Sequence, residues 1–133
     1  MATTGTYDQG AFRIQLGNAG AAAADMASVL NPTGEAVIIT KCIVNITTGS
    51  TGASTIDVGI GSSASTLYDN LIDGLSGATA GAFADLGTNG KRAKLWPAAE
   101  YLTASEASGD VAGLAGELIV NWISRTSAGA VAG

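Results

Sequence analysis

The stretch from Asn31 to Gly61 constrains the fold more than any other part of this chain. It opens on Asn31-Pro32-Thr33-Gly34, where proline fixes its own φ, pushes the residue before it out of the α region, and is followed by a glycine that accepts positive φ. That combination is a turn on chemical grounds. Six Val or Ile side chains follow between Ala36 and Thr47, and branching at Cβ suits a pleated strand better than a helix. A tract of Gly, Ser and Thr then leads to a second run, in which Ile56, Val58 and Ile60 alternate with Thr55, Asp57 and Gly59. The two runs read as a long hairpin, the second having one buried and one wet face. In the first run, Ile38, Cys42, Val44 and Ile46 form the expected core face. Val37, Ile39 and Ile43 fall on the other face with Lys41, Asn45 and Thr47, so that face needs cover from a sheet, a loop or another chain.

The remaining strands are shorter. Phe12, Ile14 and Leu16 alternate with Arg13 and Gln15 and predict a half-buried strand over 11–17. An Ala/Gly loop leads to a short strand from Met26 to Leu30. Lys91 to Trp96, ended by Pro97, and Tyr101 to Ser105 are two further strands, and the chain turns between Ala107 and Gly113. Leu114 to Ile123 closes the domain, with Leu114, Leu118, Val120 and Trp122 on one face. Between Gly61 and Lys91 lie about thirty residues of mostly small or polar type. A segment so long either packs down through its spaced apolar residues or belongs to an interface. Six to eight short strands with no amphipathic helix predict an all-β fold, an antiparallel β-sandwich, jelly-roll-like, with long Gly/Ala-rich loops. The expected organisation is a flexible N-terminal arm over 1–10, a single domain over 11–123 and a flexible C-terminal tail over 124–133.

Composition narrows the function classes. Gly and Ala make up a third of the 133 residues, so the core is thin and its stability must come from a few large side chains or from neighbouring subunits. The formal charge is −5 with six cations, too few basic groups to form a nucleic-acid surface. Lys91, Arg92 and Lys94 sit together and read as a solvated turn. No apolar run is long enough for a membrane span, and the first residues carry no basic start or apolar stretch, which predicts a soluble protein made in a cytoplasm. The single cysteine, Cys42, forms no intrachain disulfide and reads as an inert, buried thiol.

The chain contains no histidine, so triads and metal sites that need an imidazole are excluded. Gly87-Thr88-Asn89-Gly90-Lys91 fails as a phosphate loop because Asp85 stands where the first glycine belongs and Arg92 replaces the hydroxyl residue. Asp69 and Asp73 read as turn formers rather than cation ligands. Glu100 and Glu106 would be roughly 20 Å apart on a strand, too far to act as a carboxylate pair. Trp96 and Trp122, with Tyr68 and Tyr101, read as core pillars rather than a sugar platform. No catalytic, cofactor-binding or metal-ligating residue is assigned, and no cofactor is expected.

The order of segments adds a resemblance. Leu30-Asn-Pro-Thr-Gly-Glu35, Ile46-Thr-Thr-Gly-Ser-Thr-Gly-Ala-Ser-Thr55, Asp57-Val-Gly-Ile-Gly61, Asp69-Asn-Leu-Ile-Asp-Gly74, the Gly87–Lys91 turn and Gly113-Leu-Ala-Gly-Glu-Leu118 follow one another in a succession that resembles small head proteins of tailed bacteriophages, the capsid decoration or cement proteins. The resemblance covers roughly residues 28–123. It implies a non-enzymatic β-sandwich on the outside of a phage head, a homo-oligomer with a trimer favoured, bound to the major capsid protein and located in the virion. It carries no functional residue over. The expected contacts are Tyr7 in the arm and Leu67, Tyr68, Leu71, Ile72, Leu75, Phe83 and Leu86 in the long segment. Another phage surface component, such as a head fibre or tail subunit, and a carbohydrate-binding β-sandwich module are the alternatives.

Overall fold

The computed structural model describes residues 9–17 and 26–125. The predicted Ala/Gly loop and nearly all of the two predicted flexible ends lie outside the described residues. Among the described residues there are nine strands: β1 (Gln9–Leu16), β2 (Ala27–Leu30), β3 (Val37–Thr48), β4 (Ser54–Gly61), β5 (Ile72–Ser76), β6 (Gly81–Phe83), β7 (Lys94–Trp96), β8 (Tyr101–Gly109) and β9 (Ala115–Ser124). They form two sheets. In the front sheet the order is β1-β9-β3-β6, with β7 also paired to β3; in the back sheet it is β2-β8-β4-β5. Every pairing is antiparallel, and the described residues contain no helix. The molecule is an all-β sandwich, as the strand pattern predicts. Two of its strands, β5 and β6, arise in the long segment after Gly61, where no strand was expected.

The predicted hairpin is not one. β3 pairs with β9, β6 and β7, whereas β4 pairs with β8 and β5 in the other sheet. The connection between them crosses from sheet to sheet. Its Ser50 amide donates to the Gly77 carbonyl at 2.9 Å and its Thr51 amide to the Ala112 carbonyl at 3.0 Å. The Ser50 and Ser54 hydroxyls bond each other at 2.9 Å. A hairpin would have put both apolar runs on one sheet with nothing opposite. The crossing sets Val44 and Ile46 on one wall of the core and Ile56 and Val58 on the other, all buried, and a buried side chain of this size is worth about 1.5–3 kcal/mol.

The face assignment within β3 also changes. Its pairing with β9 shifts register between Ile39 and Lys41, which leaves Thr40 as an extra residue. A bulge of this kind reverses the inward and outward positions along a strand. Before it Val37 and Ile39 point inward; after it Cys42, Val44 and Ile46 do. One continuous core face results, and Ile38 and Ile43 are the residues left outside. Strict alternation across the bulge had split Val37 and Ile39 from Val44 and Ile46.

The third correction concerns β4. Its outward positions Asp57 and Gly59 are buried rather than wet, because part of the long segment lies over them. Around the core, Trp96 is fully buried, its indole N–H donating to the Glu100 carbonyl at 2.9 Å, and its ring lies 5.8 Å from that of Phe12. Asn31, also buried, donates from its amide nitrogen to the carbonyls of Glu35 and Trp96. That ties the Asn-Pro turn to the end of β7, so a polar residue is buried at no hydrogen-bonding cost.

Candidate functional site

Pairing register places a row of aliphatic side chains across the outer face of the front sheet. Ile38 stands opposite Leu95 on one side and opposite Ile123 on the other. A second pair, Ile43 and Ile119, lies further along the same face. Leu95 and Ile123 are 39% and 37% exposed, and Ile38, Ile43 and Ile119 are half-buried. Between the two rows sit Lys41, Asn121 and Ala11. Beyond them the face turns polar, where Arg13 donates to the Glu117 carboxylate at 2.6 Å across β1 and β9. Among the described residues no loop or strand lies over the aliphatic rows. The two aliphatic rows are thus separated by a polar strip, with two of their five side chains more than a third exposed.

The back sheet differs. The loop 62–70 folds over its outer face and is fastened at several points. Ser28 on β2 donates to the Ala64 carbonyl at 2.7 Å and Thr103 on β8 to the Thr66 carbonyl at 3.0 Å. Asn70 binds the Ile60 backbone on both sides, accepting from its amide at 2.9 Å and donating to its carbonyl at 2.9 Å. In this way it completes the edge of β4 beyond the end of β5. Tyr68 lies directly on Gly61 and Gly59, where any Cβ would collide with it. Those two glycines permit the close approach.

The contact residues expected from the sequence therefore separate. Leu71, Ile72 and Leu75 fill this chain's own core and present almost no surface. Their spacing followed β5 and its approach rather than a set of external anchors. Phe83 on β6 is half-buried against the core, Leu67 and Tyr68 are partly buried in the covering loop, and Leu86 is partly buried nearby. Tyr7 lies outside the described residues. The front-sheet row was partly visible in the sequence through Ile43, but Ile38 was assigned to the core, and Leu95, Ile119 and Ile123 were not singled out.

Two charged groupings appear that spacing alone did not reveal. Asp57 on β4 joins Asp69 and Asp73, their oxygens lying within 4.8 Å of one another. Each carboxylate has a donor: the Gly74 amide on Asp57 at 2.7 Å, the Asn89 amide on Asp73 at 3.0 Å and the Asn89 side chain on Asp69 at 3.0 Å. Burial raises the Asp57 pKa most, the Gly74 hydrogen bond lowers it, and the neighbouring charges of Asp73 and Asp69 raise it further. Three carboxylates supply part of a hard-cation ligand set, and the donors just named already hold one oxygen of each. The second grouping is basic. Lys91 and Arg92, read as part of a solvated turn, line a cavity with Lys41 from β3, together with Thr40, Cys42, Ala84 and Leu86. Burial pushes the Cys42 thiol up to about 12, so it is neutral there. Trp96, fully buried, offers no face to a sugar, and Trp122 packs on Gly10. Comparison with protein-family models, with curated proteins and with solved structures finds no match.

Proposed function

We propose that this protein is a virion structural subunit, a capsid decoration protein that docks on the outside of a tailed-phage head and stabilises it by contact rather than by catalysis. The observation that carries the reading is the aliphatic outer face of the front sheet, with Leu95 and Ile123 exposed and Ile38, Ile43 and Ile119 half-buried, on a sandwich whose other outer face is partly covered by the loop 62–70, which leaves Leu30 on β2 exposed. Burying aliphatic side chains of this kind against a second protein contributes about 25 cal/mol for each Å² of apolar surface removed from water, which is the chemistry a cement subunit needs. The major capsid protein is the partner this reading assigns to the face, with other copies of the chain, as a trimer, beside it.

The strand order supports the same reading. β1 pairs with β9, β2 with β8, β3 with β6 and β4 with β5, a nested order that supports the proposed jelly-roll-like reading, and jelly rolls serve in viral capsid and lectin domains alike. Because one fold hosts many functions, the order supports the architecture and the bare face supports the role. Burial of Trp96 favours the structural reading over a sugar-binding one. Electron cryomicroscopy of the parent particle tests the proposal: density for this sandwich on the head exterior, with the front sheet facing the shell, is the expected result. Its presence on a tail or fibre, or its absence from the particle, overturns it. Solution mass measurement tests the trimer separately.

A further inference from the structure

β6 and β7 share one edge of β3, but they leave a gap. β6 registers against Val44–Ile46 and β7 against Val37–Ile39, so residues 40–43 have no strand beside them on that edge. The gap coincides with the bulge at Thr40. The chain leaving β6 passes around it through Ala84 and Leu86 and returns through Lys91 and Arg92 before entering β7. What remains is a cavity of about 170 Å³ walled by Thr40, Lys41, Cys42, Lys91 and Arg92.

The charges there are unbalanced. Half of the chain's six cations line this one cavity. Among the described residues the ion pair within 4 Å is Arg13 with Glu117, on another part of the sheet, so Lys41, Lys91 and Arg92 form no direct ion pair, although Asp85 sits on the same loop between Ala84 and Leu86. The single ionisable group deep in the wall, the Cys42 thiol, is neutral and adds no opposing charge. Arg92 brings a planar fork of donors suited to two oxygens of one anion, and the two lysines bring compact point charges. The Thr40 hydroxyl already donates to the Asn121 carbonyl at 3.3 Å and adds no donor. Size limits the ligand. Pockets for drug-sized ligands start at about 300 Å³, whereas this one holds the equivalent of a few waters at about 30 Å³ each.

We propose that this sheet-edge notch binds one doubly charged oxyanion of the phosphate class, held by Arg92, Lys91 and Lys41. Three cationic side chains lining one small cavity favour a dianion over a carboxylate. The notch borders the docking face, sharing Lys41 with the polar strip between the aliphatic rows, but its assignment stands whether or not the chain belongs to a virion.

The test is a titration of the isotope-labelled full chain with inorganic phosphate, followed by amide NMR with sodium chloride adjusted to hold ionic strength constant. Saturable shifts centred on Lys41, Cys42, Lys91 and Arg92 are expected. The double variant K91Q/R92Q, both positions exposed, should weaken binding at least about tenfold, the loss of one or more charge-assisted hydrogen bonds, while the rest of its spectrum is retained. Should those changes disturb the loop, K41Q on the opposite wall carries the same expectation. Methyl phosphate separates the two sources of the group: binding comparable to phosphate assigns the notch to the end of a larger molecule, and exclusion assigns it to free phosphate. Shifts that follow ionic strength alone, acetate binding as tightly as phosphate, or an affinity unchanged in K91Q/R92Q and K41Q would each overturn the proposal.

Discussion

The two outer faces of the sandwich are covered in the opposite sense to their hydrophobicity. Outward positions on β4 are Thr55, Asp57, Gly59 and Gly61, with little apolar surface to hide, yet the loop 62–70 lies across that face and buries Asp57 and Gly59. On the front sheet the outward positions include Ile38, Ile43 and Ile119, half-buried among their strand neighbours, and Ile123, which is exposed. Cover within this chain is recruited by shape and hydrogen bonding: glycines admit the Tyr68 ring, and Asn70 satisfies the edge of β4. Apolar surface left exposed beside such a device is what the proposed docking face would use.

The sharpest way to break this contrast is to deny Tyr68 its seat. At Gly59 a Cβ would meet the Tyr68 backbone and Cβ at 2.6 Å. Backbone cannot swing aside as a side-chain tip can, so Gly59→Val should cost about 3 kcal/mol, at the upper end of overpacking effects. Thermal or denaturant unfolding measures it. A variant as stable as the parent would show that the loop is only resting on the sheet. Asn70→Ala comes next. It removes both hydrogen bonds to Ile60 without adding bulk, and with water able to reach that edge in part, the expected loss is about 2 kcal/mol. Hydrogen exchange should quicken at Ile60 first.

Asp57 gives a smaller effect with a defined sign. Its carboxyl is raised from its ordinary value near 3.8, chiefly by burial under the loop. The folded chain therefore holds this proton to higher pH than the unfolded chain does. Between the ordinary and the raised value the native state binds more protons, so this group's contribution to stability falls as pH rises through that window and stays low above it. Asp57→Asn keeps an oxygen for the Gly74 amide and removes the charge. Melts between pH 3.5 and 7 should show the variant at least as stable as the parent at the neutral end, with the difference closing towards acid, a range set by the ordinary carboxylate pKa of about 3.9. A variant less stable at pH 7 would mean that the charge itself is needed there, as it would be for a bound cation.

How much of this was legible beforehand depended on range. Phe12, Ile14 and Leu16, or Leu118 and Val120, declare their strands by alternation, because the pleat acts within a few residues. That local signal carried the all-β sandwich. It could not show that Thr40 is an extra residue, since a bulge is defined by the partner strand, and the error then exchanged Ile38 for Ile39 across the sheet. Nor could it show that β3 and β4 part company, because the same alternation suits a hairpin or a crossing. The sites were less visible still. Asp57 reaches Asp69 and Asp73 only because the loop folds back, and Lys41 meets Lys91 and Arg92 only because β6 and β7 share an edge. Leu71, Ile72 and Leu75, expected as external anchors, are core because Ile72 and Leu75 face inward from β5 and Leu71, just before it, bonds through its amide to the Val58 carbonyl on β4.

The last prediction concerns the bare face, where the expected change in stability is smallest and the expected change in association is large. Leu95 and Ile123 flank Ile38 and point outward at more than a third exposure. Replacing both with serine removes apolar surface that contributes little to this chain's own core, so unfolding free energy should move by no more than about 0.5 kcal/mol, as surface substitutions usually do. If the face is a docking surface, the same pair supplies its most exposed aliphatic side chains, on either side of Ile38, and truncating aliphatic contacts that an interface buries costs about 2 kcal/mol or more in binding. Leu95→Ser with Ile123→Ser should then bind purified heads at least about tenfold more weakly while melting like the parent. Binding and melting that both stay unchanged would place the contact elsewhere. A large loss of stability would show instead that these side chains are already covered within the chain, which would remove the asymmetry between the two faces on which the docking assignment rests.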